Sequence, residues 1–211
     1  GESPPAAIKP RMIPTSLPSR QPPAWQQALQ DAVSDPAELL ALLGLGPEWL
    51  EPARAAARRF PLKVPRGFVG RMRRSDPRDP LLLQVLPLGA ELDEVPGYVT
   101  DPVGDLAAKA GPGLLHKYER RALLVITGAC AVHCRYCFRR HFPYDDENAS
   151  RAGFAPALDA IRADTSIGEV ILSGGDPLTL NERRLTMLWQ GLAAIPHVRR
   201  VRIHTRLPIV L

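Results

Sequence analysis

Three cysteines, Cys130, Cys134 and Cys137, lie within eight residues and follow closely on a short, unbroken apolar run, Ala122 to Thr127. The 211-residue chain holds no other cysteine. An odd, clustered set speaks against a disulfide framework and for metal or redox chemistry in a reducing compartment. The run ahead of them suits a strand buried on both faces, as parallel strands are. The pattern then repeats. A helix is expected over 155–163, a strand over 169–173, a helix over 182–194 and a strand over 201–204. On the second helix Leu185, Leu188, Trp189 and Leu192 share one face. Strand–helix alternation at this spacing is a parallel α/β architecture. About three βα units cannot close a barrel, so residues 116–211 read as the first half of a TIM-like parallel barrel, incomplete at its C-terminal end.

The residues upstream read differently. Residues 1–24 are rich in Pro and Ser without the apolar stretch of a signal peptide, and are expected to form a flexible leader. Met12 inside it is a candidate start. Residues 25–115 read as a helical region followed by a connecting wrap. Trp25, Leu29, Ala32 and Val33 recur on one helical face. Ser34-Asp35-Pro36 marks a break and an N-cap, with proline at the first helical position. Short helices are expected over 47–60 and 65–73. Residues 91–115, rich in Gly and Pro, are expected to wrap around the next domain.

Composition bounds the function. Apolar residues make up 45% and charged residues 23% of the chain, so a folded core is expected. No run approaches the length a membrane span needs, and a soluble cytoplasmic protein is expected. The net charge of +5 is carried mostly by arginine, beside only four lysines, Lys9, Lys63, Lys109 and Lys117. The basic stretch Arg54 to Arg78 reads as a solvated helix face. No zinc-finger, helix-turn-helix or ribonucleoprotein signature supports a nucleic-acid partner.

Cys130-Ala-Val-His-Cys134-Arg-Tyr-Cys137 has the form C-x3-C-x2-C and begins three residues after the first parallel strand. Loops at the C-terminal ends of parallel barrel strands carry active sites. Three thiolates can hold three irons of a [4Fe–4S] cluster and leave the fourth open, where ferredoxin-type clusters use four cysteines. The open iron would chelate the amino and carboxylate groups of S-adenosylmethionine (SAM), whose sulfonium an electron from the cluster would cleave. The alternative is a Cys3His zinc site with His133 or His141. The x3 spacing and the aromatic Tyr136 weigh against it.

Ser173-Gly174-Gly175-Asp176-Pro177 closes the second parallel strand. Its glycines allow close backbone approach to a ligand, and Asp176 could accept a hydrogen bond from an ammonium. Alone this is an ordinary turn. One strand after the cysteine loop, it shares an end of the sheet with it. His116 to Arg121 precedes the first parallel strand and Phe138-Arg139-Arg140-His141 follows the cysteines. Arginine forks there suit phosphates and carboxylates, with Arg120 and Arg140 expected on a solvated face.

His116 to Tyr144, the Ser173–Pro177 turn and Arg202-Ile-His-Thr-Arg-Leu-Pro-Ile209 together resemble the lysine 2,3-aminomutase family of radical SAM enzymes. Cys137 to Tyr144 and Pro112 to Tyr118 most resemble its elongation factor P β-lysylation branch. The resemblance implies SAM, a [4Fe–4S] cluster and pyridoxal 5′-phosphate (PLP) as cofactors. It implies migration of the α-amino group of L-lysine from C2 to C3, giving β-lysine. A separate lysyl ligase would attach this to elongation factor P, and a flavodoxin or ferredoxin would supply electrons. Carried over residue by residue, it implies Cys130, Cys134 and Cys137 as cluster ligands. Tyr136, Ser173, Gly174, Gly175, Asp176 and Arg206 would line the SAM site. Lys117, Tyr118 and Arg121 would contact PLP, and Arg139 the substrate carboxylate. The family's PLP-anchoring Schiff-base lysine and the acidic residues for the substrate's distal amine find no match up to Leu211, and both are expected beyond it. The chain is therefore expected to be C-terminally truncated and inactive alone. A relative acting on glutamate or arginine, and a non-catalytic metal-binding module, are the alternatives.

Overall fold

The computed structural model describes residues 24–151 and 153–211. The leader lies outside the described residues apart from Ala24, which opens helix α1 (Ala24–Gln30). Helices α2 (Pro36–Leu43), α3 (Leu50–Arg59) and α4 (Arg66–Val69) follow. Asp35 caps α2 as expected, its Oδ1 accepting from the Ala37 amide at 2.9 Å. The first helix ends short of Val33, which instead exchanges backbone hydrogen bonds of 2.8 and 3.0 Å with Val64. The expected helix over 47–60 divides into a 3-10 turn, Pro47–Trp49, and α3. Val33, Leu39, Leu43, Val64, Phe68 and Leu82 are the centre of the core these elements build.

The sheet has five strands in the order β1 (Lys109–Gly111), β2 (Leu114–Tyr118), β3 (Arg121–Thr127), β4 (Glu169–Gly174) and β5 (Arg200–Ile203). β3, β4 and β5 run parallel, as expected. β1 and β2 are antiparallel additions that the three-strand reading did not contain. The sheet is therefore mixed, and it begins at Lys109, inside the stretch expected to be a wrap. The cause is a tight reversal at Arg120, at φ +61°, which folds β2 back onto β3 and sets Leu114 opposite Leu124.

Helices α5 (Ala155–Ala163) and α6 (Glu182–Ala193) are the crossovers between parallel strands. They bury Phe154, Ile161, Leu188 and Leu192 against Leu124, Ile126, Val170 and Leu172 in a second core. Trp189, expected on the same face as Leu188, is 55% exposed. The opposite face of the sheet carries Arg121, Leu123, Ile171 and Ser173. A short helix, α7 (Leu207–Val210), follows β5 and leads into Leu211. The first core also takes in Ala131 and Val132 from the cysteine loop and Leu207 and Val210 from α7. The N-terminal helices thus sit across the C-terminal ends of β3 and β5. No helix among the described residues is long and apolar enough to cross a membrane.

Candidate functional site

Cys130, Cys134 and Cys137 line one cleft of about 490 Å³ at the C-terminal end of the parallel strands, with Gly174, Gly175, Asp176, Thr205 and Arg206. That volume lies within the ~300–1,000 Å³ of ordinary small-molecule sites. All three thiols are free and half-buried. Burial, helped by the neighbouring Cys137 and Cys134, pushes the Cys130 thiol up to about 12. The alternative zinc set does not assemble. His133 stacks on Phe60 with ring centroids 5.3 Å apart, and its Nδ1 lies 2.8 Å from the Pro61 carbonyl. His141 is exposed. Among the described residues no group of three His, Cys, Asp or Glu side chains gathers around a single ion. Three free thiols lining one cleft are the donor set that a cluster with one iron per sulfur would take.

The glycine turn is shaped by the cysteine loop itself. Gly174 has φ +108°, and a Cβ there would come within 2.7 Å of the Thr127 carbonyl oxygen. A Cβ on Gly175 would come within 2.3 Å of the Ala129 carbonyl oxygen. The Gly175 and Asp176 amides donate to the Thr127 and Ala129 carbonyls, each at 2.7 Å. The end of β4 is therefore laced directly onto the backbone leading into Cys130. Tyr144, which sequence reasoning passed over, donates its hydroxyl to the Gly174 carbonyl at 2.9 Å.

Asp176 is 5% exposed. Its carboxylate accepts from the Leu178 amide (3.1 Å), the Thr205 hydroxyl (2.6 Å), the Arg206 amide (2.7 Å) and the Leu207 amide (2.9 Å). One buried carboxylate thus joins the turn after β4 to the start of α7. The expected ammonium acceptor is already saturated by the protein's own donors.

The N-terminal region grips the cysteine loop from the other side. The His133 amide donates to the Lys63 carbonyl at 2.9 Å, and the Arg135 amide to the Gln84 carbonyl at 2.8 Å. Glu91 accepts from Arg135 Nε at 2.8 Å, from Arg135 Nη2, and from Arg140 Nη2 at 2.7 Å. Both guanidinium carbons lie over the Phe60 ring, at 4.8 and 4.7 Å from its centroid. Arg140 is therefore held against Glu91, its side chain 16% exposed, and is not on the solvated face expected for it. Arg120 is exposed as expected. Arg206, on the loop after β5, donates through Nη1 to Cys134 Sγ (2.7 Å) and Tyr136 Oη (2.6 Å). Its Nη2 reaches Gln84 Oε1 at 2.8 Å.

A second cleft, of about 210 Å³, lies on the open face of the sheet and is lined by Asp105, Lys117, Tyr118, Arg121, Phe138 and Arg139. Arg139 is buried, its Nε 2.7 Å from Asp105 Oδ2 and its Nη1 3.2 Å from Ser173 Oγ. Ser173 immediately precedes the glycine turn, so Arg139 links the two clefts. Arg121 is paired with Glu169 at 2.8 Å, and Glu169 is further approached by Arg200 and Arg202 at 2.9 and 3.1 Å. The Lys117 ammonium donates to the Val103 carbonyl. This cleft is smaller than a whole-cofactor site, but its basic and phenolic groups suit a phosphate end. Lys117 is the one lysine among its lining residues, and it stands at the end of β2, ahead of the first parallel strand. The cleft has no second lysine among its lining residues.

No family model matches the chain. The L-lysine 2,3-aminomutase of Escherichia coli strain K12 is 46% identical over 201 residues, covering 95% of this chain and 58% of that protein. The L-lysine 2,3-aminomutase of Haemophilus influenzae is 44% identical over 201 residues, again 95% of this chain and 60% of the relative. The L-lysine 2,3-aminomutase of Clostridium subterminale is 31% identical over 188 residues, 89% of this chain and 45% of the relative. The chain spans about half the length of these curated relatives, somewhat more for the first two.

Proposed function

We propose that the chain, similar over 95% of its length to L-lysine 2,3-aminomutases of which it covers 58 and 60%, belongs to the lysine 2,3-aminomutase family and converts L-lysine to β-lysine by radical SAM chemistry. The observation that carries the reading is the union of two clefts through one arginine. Cysteines and glycine turn form one cleft, Lys117, Tyr118 and Arg121 help form the other, and the Arg139–Ser173 hydrogen bond joins them. Residues that lie far apart in sequence, and that the resemblance assigns to three cofactors and a substrate, line two clefts linked by this hydrogen bond, which supports the reading.

In this reading Cys130, Cys134 and Cys137 hold a [4Fe–4S] cluster, the donor set being three free thiols in one cleft. SAM occupies the same cleft beside Gly174, Gly175 and Arg206; Tyr136 and Ser173, expected there too, lie outside its lining, Tyr136 touching it through Arg206 and Ser173 immediately preceding the glycine turn. Asp176 acts there by fixing the walls, since its oxygens already accept four hydrogen bonds. Lys117, Tyr118 and Arg121 take the phosphate end of PLP. When bound, these groups supply a carbon radical and a π-system that stabilises a migrating nitrogen. Arg139 orients the substrate. Asp105 and Ser173 fix its Nε and Nη1, and among the described residues Nη2 is left to meet a carboxylate. The parallel run of β3, β4 and β5 supports a barrel of the radical SAM type. Cys137 to Tyr144 further motivates elongation factor P as the destination of the β-lysine, with a flavodoxin or ferredoxin as electron donor in the cytoplasm.

The test is anaerobic incubation of the protein with dithionite, SAM, PLP and isotopically labelled L-lysine, following β-lysine by mass spectrometry. Turnover above a Cys134→Ala control is expected. Conversion of glutamate or arginine in place of lysine would reassign the substrate. Stoichiometric zinc without iron in an anaerobic preparation would overturn the cluster.

A further inference from the structure

The four arginines nearest the cysteines differ in one respect. Arg135 and Arg140 share Glu91, and Arg139 has Asp105. The carboxylate beside Arg206 is Asp176, and it takes the Arg206 backbone amide, not the guanidinium. The guanidinium instead puts Nη1 2.7 Å from Cys134 Sγ. Its other contacts are neutral: Tyr136 Oη at 2.6 Å and Gln84 Oε1 at 2.8 Å. The Tyr136 ring also flanks it, 5.6 Å from centroid to guanidinium carbon. Among the described residues no carboxylate pairs with this guanidinium, and its positive charge ends on the sulfur of one expected ligand.

We propose that Arg206 sets the reduction potential of the cluster through its N–H···S bond to Cys134, with Gln84 holding the guanidinium in place. The inference rests on the cluster assignment above and goes beyond the lining role expected for Arg206. Reduction adds an electron to a cluster that thiolates already make negative. A cationic donor on a ligand sulfur stabilises the reduced form more than the oxidised one, and so raises the potential. Half-burial of Arg206 limits screening of that charge by water and salt. Gln84 suits the anchoring task. Its backbone carbonyl receives the Arg135 amide while its side chain receives Arg206, so one residue of the N-terminal region registers both sides of the cleft.

The experiment is a redox titration of the anaerobically reconstituted protein, read by electron paramagnetic resonance without SAM, with iron and sulfide measured on each sample. Arg206→Gln is expected to lower the reduced-to-oxidised ratio at a fixed potential about tenfold, a ~59 mV shift for a one-electron couple. Arg206→Lys, which keeps the charge but loses the fork, should shift less. Gln84→Leu should shift in the same direction by a smaller amount, and it leaves every group bonded to sulfur in place. An Arg206→Gln protein with full iron and an unchanged potential overturns the inference. Should that variant lose its cluster, an unchanged potential in Gln84→Leu overturns it equally. Failure of the unsubstituted protein to take up iron and sulfide overturns the cluster assignment itself, a distinguishable result.

Discussion

Replacing Glu91 by Gln tests whether the N-terminal region holds the cysteine loop by charge. The substitution keeps the shape and an acceptor for the Leu88 amide, which Glu91 now receives at 3.0 Å. It removes the counter-charge from two guanidiniums whose side chains are only 6% and 16% exposed. Removing one partner of a buried ion pair costs ~3–5 kcal/mol, because the remaining charge stays buried. Here the lower end applies. Arg135 keeps its bond to the Phe60 carbonyl at 2.8 Å, and both arginines keep the Phe60 ring. About 3 kcal/mol corresponds to a fall in Tm of roughly 6–12 °C for a chain of this size. Thermal melting and urea titration give the number. The rate at which a thiol reagent labels the three cysteines shows whether the loop has loosened, and faster labelling is expected. A loss below ~1 kcal/mol, the range of exposed pairs, with unchanged labelling would refute the clamp.

Acid should weaken the same clamp. Although burial works the other way, bonds from Arg135, Leu88 and Arg140 hold the Glu91 carboxyl below its usual 4.5, and backbone amides hold Asp79 below 3.8 against the same opposing burial. A depressed carboxylate contributes stability that is full above its unfolded pKa and lost as pH falls through the folded one. Urea midpoints should therefore drop as pH falls below about 4.5, and Glu91→Gln should flatten that drop. Gly175→Ala should misplace the Ala129 carbonyl, its Cβ arriving at 2.3 Å, and lower iron uptake. Gly168→Ala, whose nearest neighbour would be 3.9 Å away, should leave iron uptake unchanged. Asp176→Asn replaces an acceptor-only group with one carrying a donor against backbone amides, and should cost ~1–3 kcal/mol in urea unfolding.

The parallel strands, the α2 cap and the crossover helices were legible because each rests on a local signal. An apolar run, an Asp-Pro step and an amphipathic period can be read without knowing what they touch. β1 and β2 carry no such signal. Lys109–Gly111 includes a glycine, and Leu114–Tyr118 is only half apolar, so they are strands because β3 offers an edge to β2 and β2 in turn offers one to β1. The cysteine motif and its glycine turn were legible as chemistry, but the reason for the glycines was not. Close approach was expected to a ligand, whereas the nearest atoms belong to Thr127 and Ala129. Glu91, Asp105, Gln84 and Tyr144 could not be found by spacing at all. They are ordinary polar residues whose partners lie between 30 and 122 positions away.

That separation in sequence bears on how the molecule comes to be folded. The cysteine loop has little regular structure of its own, and takes its shape from Phe60, Pro61, Lys63, Gln84 and Glu91 on one side and from the end of β4 on the other. Contacts of such range close only after the intervening chain is organised, and their closure is slow. The helical region leaves the ribosome first and can build its core before the loop emerges. The end of β4 comes about forty residues after the last cysteine. The loop thus depends on two partners made at different times during synthesis. Residues 130–137 transplanted onto another parallel sheet would carry the thiols but not the spacing between them.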